Sequence, residues 1–327
     1  MQSNILYFEK VTPEIKEIFN QQNKKNYDIS YWFEMDENEK NVALKNADYF
    51  LVVTTKITKD MILKANRLRM IQRAGVGVDN IDLQTAYELG IPVCNTPGGN
   101  STAVAELTIG MILSIYRKLT ILDNATKHGN WLMWELRYSS FEIKGKVHGI
   151  IGLGNIGKEV AKLSKAFGAK IVYYDICRLS EDAEQSLDVT YLALNELLGV
   201  SDIVSLHLPL IEDTLKLISY REFDIMKKNS VLINVSRGNI VDEEALADAL
   251  NTGKIAGAGI DTWSVEPVKK ENILLKFDNV LATPHIGSGT KDTLENLTKL
   301  AFSNFSLVDQ GDNPRFVVNN VENLRRF

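Results

Sequence analysis

Three segments of the chain carry residues of the kinds that hold anions and move protons: "NVSRGNIVD", "GIDTWSVEP" and "ATPHIGS", with Arg237, Asp261 and Glu266, and His285. Each follows a short apolar run, so each falls where an α/β sheet places its ligands, beyond the carboxyl ends of its strands. One Arg, one Glu and one His at three strand ends suit the reduction of a carbonyl that neighbours a carboxylate. The planar guanidinium fork holds a carboxylate at two points and polarises the carbonyl. An imidazole supplies a proton near neutral pH, and a carboxylate on its other ring nitrogen fixes the tautomer and favours the protonated form. Taken singly, each residue has a plainer reading: Arg237 as an ion-pair partner, His285 as a loop residue, Glu266 as a solvated turn ahead of Pro267.

A hydride must come from a cofactor, and "GIIGLGNIGKEV" (149–160) is the place to hold one. "KVHGII" reads as a strand and "KEVAKLSKAFG" as a helix, so Gly152, Gly154 and Gly157 lie at a strand-to-helix turn. Gly152 makes the tight turn, Gly154 admits a pyrophosphate to the backbone, and Gly157 lets helix and strand approach. The amides of Asn155 and Ile156 then face the phosphates from the positive end of the helix dipole. Asp175 ends the next apolar run, "KIVYYD", 18 residues after Gly157, where an acidic side chain accepts from the adenosine ribose. Its charge favours NAD over NADP, a preference that Arg178, three residues on, softens. The plainer alternative is a glycine turn with an incidental surface Asp.

The elements that position these groups form two series. "NILYFEK", "DISYWF", "YFLVV", "RMIQ" and "IPVC" alternate with helical stretches before residue 100, and "VHGII", "KIVYYD", "DIVSLHL", "SVLINVS", "GAGID" and "NVLATPHI" follow. Strand and helix in alternation mean parallel sheets covered on both faces. "NTPGG" (95–99) breaks the first series, and "NSTAVAELTIGMILSIYRKL" after it has long helical periodicity. "GSGT" (287–290) breaks the second, and "KDTLENLTKLAFSNFSLVDQG" reads as one helix that returns to the first domain.

Length and composition exclude several classes. At 327 residues and 45% hydrophobic content, two domains are expected. A net charge of −5, with the 37 Lys and Arg scattered, argues against a nucleic-acid partner, and the terminal "LRRF" is too short to alter that. No run approaches the roughly 18 apolar residues of a membrane span, and "MQSNILYFEK" lacks the form of a signal peptide, so a cytoplasmic protein is expected. Cys94 and Cys177 have no metal-ligand spacing; both are expected to be buried free thiols, and no metal is expected.

Seven strings in order, "RAGVGVDNID", "NTPGGNSTAVAEL", "GLGNIG" with Asp175, "HLPL", "NVSRGNIVDEEAL", "GAGIDTWSVEP" and "TPHIGS", resemble the D-isomer-specific 2-hydroxyacid dehydrogenases. The resemblance implies an α/β fold of two doubly wound parallel-sheet domains. A Rossmann NAD-binding domain (100–288) would be inserted into a flavodoxin-like substrate domain (1–99 and 289–327). It implies Arg237, Glu266 and His285 as the catalytic trio, with His285 the proton donor, and a substrate carboxylate on the backbone at Val76 and Gly77, with Arg237 and His285 also meeting substrate. It implies cofactor contacts from Asp261 to the nicotinamide carboxamide, from the backbone of His207 to Pro209, from Asn234, Val235 and Ser236, and from His285 and Gly287. His207 is thereby structural, not catalytic.

Departures from the family's branches bear on substrate. Phosphoglycerate dehydrogenases resemble the chain through "TTKIT" but place an Arg just before it, where Val52 and Val53 stand here; they often have Thr at Val76 and many carry a regulatory domain. The D-lactate branch has a Tyr in the loop occupied by "PGGN", and the formate branch has Gln at Glu266. "GNWLMWELRYSS" is similar to glyoxylate and hydroxypyruvate reductases, in which a Trp of this segment comes from the dimer partner, a part open to Trp134. The expected function is NADH-dependent reduction of a small unphosphorylated 2-oxo acid, in a homodimer. The alternatives are phosphoglycerate dehydrogenase activity and a dinucleotide-sensing protein like the corepressors of the same family.

Overall fold

The computed structural model describes residues 2–321, so "LRRF" (324–327) lies outside the described residues. The chain divides into two compact units, Met1–Asn100 with Gly289–Phe327, and Ser101–Ser288.

The first unit holds five parallel strands, β1 (Asn4–Tyr7), β2 (Asp28–Tyr31), β3 (Tyr49–Val52), β4 (Met70–Arg73) and β5 (Val93–Cys94), in the order β2-β1-β3-β4-β5. This is the flavodoxin order. Its central strand YFLV is buried along its whole length, as a parallel strand covered on both faces must be. The period of two sends Phe50 and Val52 to one core with Leu6, Phe8 and Ile62, and Tyr49 and Leu51 to the other with Phe19, Phe302 and Phe305. The last two belong to the helix Lys291–Asp309, which thus covers one face of the first sheet. Asp309 at its end accepts hydrogen bonds from Tyr49 Oη (2.6 Å), Tyr27 Oη (2.8 Å), Ser3 Oγ (3.1 Å) and Arg69 Nη1 (2.7 Å).

The second unit has seven parallel strands: β6 (Val147–Ile151), β7 (Lys170–Tyr174), β8 (Thr190–Tyr191), β9 (Ile203–Leu206), β10 (Val231–Asn234), β11 (Gly257–Ile260) and β12 (Val280–Ala282). Their order, β12-β11-β10-β9-β6-β7-β8, is the Rossmann order with one added strand, and it reverses between β6 and β9. Ligands of such sheets bind outside the carboxyl ends at that reversal. Both faces are again apolar: Ile150 and Ile233 enter one core, Ile151 and Leu232 the other.

Three details differ from the sequence reading. The long helix stops at Tyr116, because Lys118 turns left-handed (φ +53°) and the Phe141 amide takes the Tyr116 carbonyl; a second helix, Leu119–Lys127, follows. The two-residue edge strand β8 is too short to leave a periodic signal. Cys94 is buried, its thiol pushed up to about 12 by desolvation, but Cys177 is exposed, since it stands two residues past Asp175 in a loop that leaves the sheet edge.

Candidate active site

The loops after β10, β11 and β12 bring Arg237, Glu266 and His285 together. His285 Nδ1 lies 2.8 Å from Glu266 Oε2, and the amide of Trp263 donates to Glu266 Oε1 at 3.0 Å. Desolvation raises the Glu266 carboxyl. The hydrogen bonds from His285 and Trp263, with the charges of His285 and Arg237, outweigh it and hold the group below the usual carboxylate range. Arg237 is part-buried and its Nη1 donates to the Ser236 carbonyl at 2.8 Å. Asn234 fixes the turn that presents it: Nδ2 donates to the Arg237 carbonyl, and Oδ1 accepts from the amide and hydroxyl of Ser236. Val235 and Ser236 are both buried in that turn.

Asp261 is fully buried, and its carboxylate is committed to the His285 segment. Oδ1 accepts from Thr283 Oγ1 (2.6 Å) and the Ile286 amide (2.8 Å); Oδ2 accepts from the Gly287 amide (2.9 Å). His285 itself sits at φ +54°, a conformation that a histidine holds only when its surroundings impose it. The Asp261 carbonyl adds to the clamp by accepting from the His285 amide at 2.7 Å. Trp263 Nε1 donates to the Thr283 carbonyl, and Gly238 packs so closely on Trp263 that a Cβ there would lie 1.9 Å from its carbonyl carbon. The sequence reading missed Trp263 and Thr283; their signal was position alone, a tryptophan set between Asp261 and Glu266 and a hydroxyl two residues before His285.

The glycine-rich turn fits a dinucleotide. Gly152 (φ +94°) lies against the neighbouring chain, where a Cβ would be 2.5 Å from the His207 carbonyl oxygen, and a Cβ on Gly157 would be 2.2 Å from the Gly152 oxygen. Gly154 faces open space and N-caps the helix Asn155–Ala166 with no side chain over its first amides. Those amides, at Asn155 and Ile156 onward, are the free donors that an anion satisfies. Asp175 follows β7 directly, beside the turn, with Oδ2 accepting from the Leu153 amide (2.8 Å) and Oδ1 from the Cys177 amide (3.0 Å). Arg178 does not face it. Its Nε and Nη2 grip both oxygens of Glu184 at 2.8 and 3.0 Å, and it lies over the Tyr191 ring. His207 extends β9 by bonding the Ile151 carbonyl through its amide, and the exposed Pro209 accepts from Thr214 Oγ1.

In the first unit, Val76 is exposed and Gly77 part-exposed, in the loop after β4. Arg73 folds beneath that loop: Nη1 donates to the Ala74 carbonyl at 2.6 Å and fills the space of a Gly75 side chain. Asn95 Nδ2 holds the Val76 carbonyl at 2.9 Å. After the adjacent β3, the amides of Val53, Thr54 and Thr55 converge on Glu9 Oε1. Val52 points into the core, fully buried, so of the two valines only Val53 reaches that loop's surface, beside the exposed Thr54 and Lys56. Among the described residues no group of His, Cys, Asp and Glu could hold a metal, and no helix is long and apolar enough to cross a membrane.

The model of the D-isomer specific 2-hydroxyacid dehydrogenase NAD binding domain matches residues 109–287. The glyoxylate reductase of Thermococcus litoralis is 38% identical over 305 residues, covering 90% of this chain and 92% of that protein. The D-3-phosphoglycerate dehydrogenase of Methanocaldococcus jannaschii is 41% identical over 278 residues, 84% of this chain but 52% of that protein, so the chain spans about half of its length. The crystal structure of Aquifex aeolicus D-lactate dehydrogenase with NAD and lactic acid superposes with a TM-score of 0.82 at 30% identity, over 94% of this chain and 96% of that one. On the matched Rossmann unit and these near full-length likenesses, the chain belongs to the D-isomer specific 2-hydroxyacid dehydrogenase family, and is an oxidoreductase of CH–OH donors that uses NAD.

Proposed function

We propose that this protein reduces a small unphosphorylated 2-oxo acid, glyoxylate or hydroxypyruvate, to the D-2-hydroxy acid. The observation that carries the reading is the 2.8 Å Glu266–His285 pair within electrostatic reach of Arg237, in the unit that also holds the glycine turn and Asp175. NADH, when bound, supplies the hydride. Arg237 grips the substrate carboxylate and polarises the 2-oxo group. With Nδ1 turned to Glu266, His285 offers Nε2–H to the developing alkoxide. Glu266 stays ionised opposite it and stabilises the imidazolium. In this reading the unit Ser101–Ser288 binds NAD through Gly152, Gly154, Asn155, Ile156, Gly157 and Asp175, and the first unit binds substrate. Commitment of Arg178 to Glu184 supports NAD over NADP.

The segment 128–140 supports a homodimer, because Trp131 and Trp134 are 75% and 65% exposed and Tyr138 is fully exposed, far more apolar surface than a monomer's short arm usually carries. Arg137 stacks on Trp134, 3.9 Å from its ring, and leaves the indole's other face for a partner. A cytoplasmic location belongs to the same proposal. The likeness to phosphoglycerate dehydrogenases favours a second reading, with 3-phosphohydroxypyruvate as substrate. Val53 and the amides already engaged by Glu9 weigh against it, since a phosphate there would find no arginine and those donors taken, with only the flexible, exposed Lys56 of that loop to meet its charge. NADH oxidation across a panel of 2-oxo acids tests both: kcat/KM for hydroxypyruvate or glyoxylate should exceed that for the phosphorylated acid by roughly 10- to 150-fold. Comparable values would favour the second reading. NADH binding without turnover of any acid would point to the sensing role.

A further inference from the structure

The segment that leaves β7, "DICRLSEDAE" (175–184), carries one cation, Arg178, among the carboxylates of Asp175, Glu181, Asp182 and Glu184. It wraps the Asp175 side chain, because the Cys177 amide donates to Asp175 Oδ1, and Arg178 is the next residue. The Arg178 guanidinium nevertheless turns to the helix Glu181–Leu187, where Nε meets Glu184 Oε1 at 2.8 Å and Nη2 meets Oε2 at 3.0 Å. The grip is anchored in the core. The hydroxyl of Tyr173, a fully buried residue of β7, donates to Glu184 Oε1 at 2.7 Å and accepts from the Leu179 amide at 3.0 Å. The ring of Tyr191, on β8, lies 5.0 Å beneath the guanidinium.

An exposed ion pair is ordinarily worth little, since water competes for both partners. This one has a planar fork making two bonds at once, an aromatic face under it and a buried hydroxyl fixing the carboxylate. The bonds from Arg178, and then that from Tyr173, hold the Glu184 carboxyl down to about 2, so it stays ionised throughout the neutral range. The Arg178 side chain is 54% exposed, in contact with solvent yet turned away from Asp175. A 2′-phosphate beside Asp175 would therefore meet a carboxylate with no counter-charge from this segment.

We propose that Glu184 is a specificity-determining residue for the cofactor: by gripping Arg178 it withholds from a 2′-phosphate the one cation of the segment, and with Asp175 it enforces NAD over NADP. Release of Arg178 is a side-chain rotation, since the backbone on either side already lies against Asp175 and Tyr173. The inference rests on the glycine turn and Asp175 being the dinucleotide site.

Calorimetric titration of the full chain with NADH and with NADPH, which differ by the 2′-phosphate alone, reads the preference without turnover. Glu184→Gln keeps an acceptor for Tyr173 but removes the charge, and should tighten NADPH binding roughly three-fold. Glu184→Ala should tighten it up to about ten-fold, the factor by which a held arginine lowers the competent population, with NADH bound as before. Adding Arg178→Ala to either variant should cancel the gain. NADPH affinity unchanged in the folded Glu184 variants overturns the proposal, Arg178 then being kept from the phosphate by something other than Glu184; Glu184→Gln decides alone if Glu184→Ala does not fold. A gain that survives Arg178→Ala also overturns it, by assigning the effect to the lost negative charge. So does weaker NADPH binding in Arg178→Ala alone, which would place Arg178 on the phosphate already. Failure of NADH to bind, or binding indifferent to Asp175→Ala, would instead remove the dinucleotide reading of the turn.

Discussion

Replacing Asp261 with Asn tests whether the His285 turn is held by this one buried carboxylate. The carboxylate accepts three hydrogen bonds from a segment some twenty residues away, two on Oδ1 and one on Oδ2. An amide of the same shape keeps Oδ1 for Thr283 and Ile286 but sets an NH2 against the Gly287 amide; flipped, it sets the NH2 against the Ile286 amide instead. Either way one donor in a fully buried place loses its acceptor. Losing a charge-assisted bond costs about 1.5–3 kcal/mol and stranding the buried amide a comparable amount, so about 3–6 kcal/mol in all. For a unit of this size that lowers its unfolding temperature by roughly 5–15 °C. Because His285 sits at φ +54°, loosening the clamp lets the turn relax towards ordinary backbone, so kcat should fall. Calorimetry and steady-state kinetics on the purified variant measure both. An unfolding temperature within about 1 °C of the parent, with kcat intact, would show that the turn stands without Asp261.

In Glu266→Gln, reduction should begin to fail at lower pH on the alkaline side, because the imidazolium loses its counter-charge; an unmoved pH–rate profile, with chemistry limiting, would separate the two residues. In the unsubstituted enzyme the ionised Glu266 should persist below the ordinary carboxylate value near pH 4.3, so the pair is complete above that value and lost only as pH falls through the lowered one. Asp175→Ala should weaken NADH binding and narrow the preference over NADPH about ten-fold, the repulsion of the 2′-phosphate having gone; equal kcat/KM ratios before and after would remove Asp175 from cofactor choice. At Asp309, desolvation raises the carboxyl, and the bonds from Tyr49, Tyr27, Arg69 and Ser3 outweigh it and lower it. The stability it contributes should be full above about pH 3.9 and lost as pH falls through its lowered value, so Asp309→Asn should cost about 3 kcal/mol at neutral pH and flatten the acid limb of a pH–stability curve. A parallel limb in both proteins would contradict that.

What was legible in the sequence was what is local. The spacing of Gly152, Gly154 and Gly157 and the distance to Asp175 are chain-local requirements of one turn, and the alternating strands announce both sheets. Arg237, Glu266 and His285 were visible because each follows its own strand. The supports of those groups were not visible, because they act across long separations: Asp261 on Ile286, and Glu9 on Val53 to Thr55, 44 to 46 residues away. His148 was read only as part of the strand "KVHGII", and only the fold sets Ser164 and Ser205 on either side of it. The break at Lys118 turns on the Tyr116 carbonyl being claimed by the Phe141 amide, and the exposure of Cys177 on where the chain leaves β7, matters that residue type does not reveal.

The helix Lys291–Asp309 completes a sheet whose strands all lie before residue 100, which gives the order of synthesis a physical meaning. A growing chain presents Phe19, Tyr27 and Tyr49 long before Phe302, Phe305 and Asp309 exist to cover them. At about 5–20 residues per second, Ser101–Ser288 alone takes roughly 10–40 s to emerge. During that interval the Rossmann unit has its whole sequence and folds, while the N-terminal sheet waits with one face bare to the ribosome's surroundings. The nascent protein is therefore most adhesive at this first sheet, and emergence of the helix Lys291–Asp309 decides when that hazard ends.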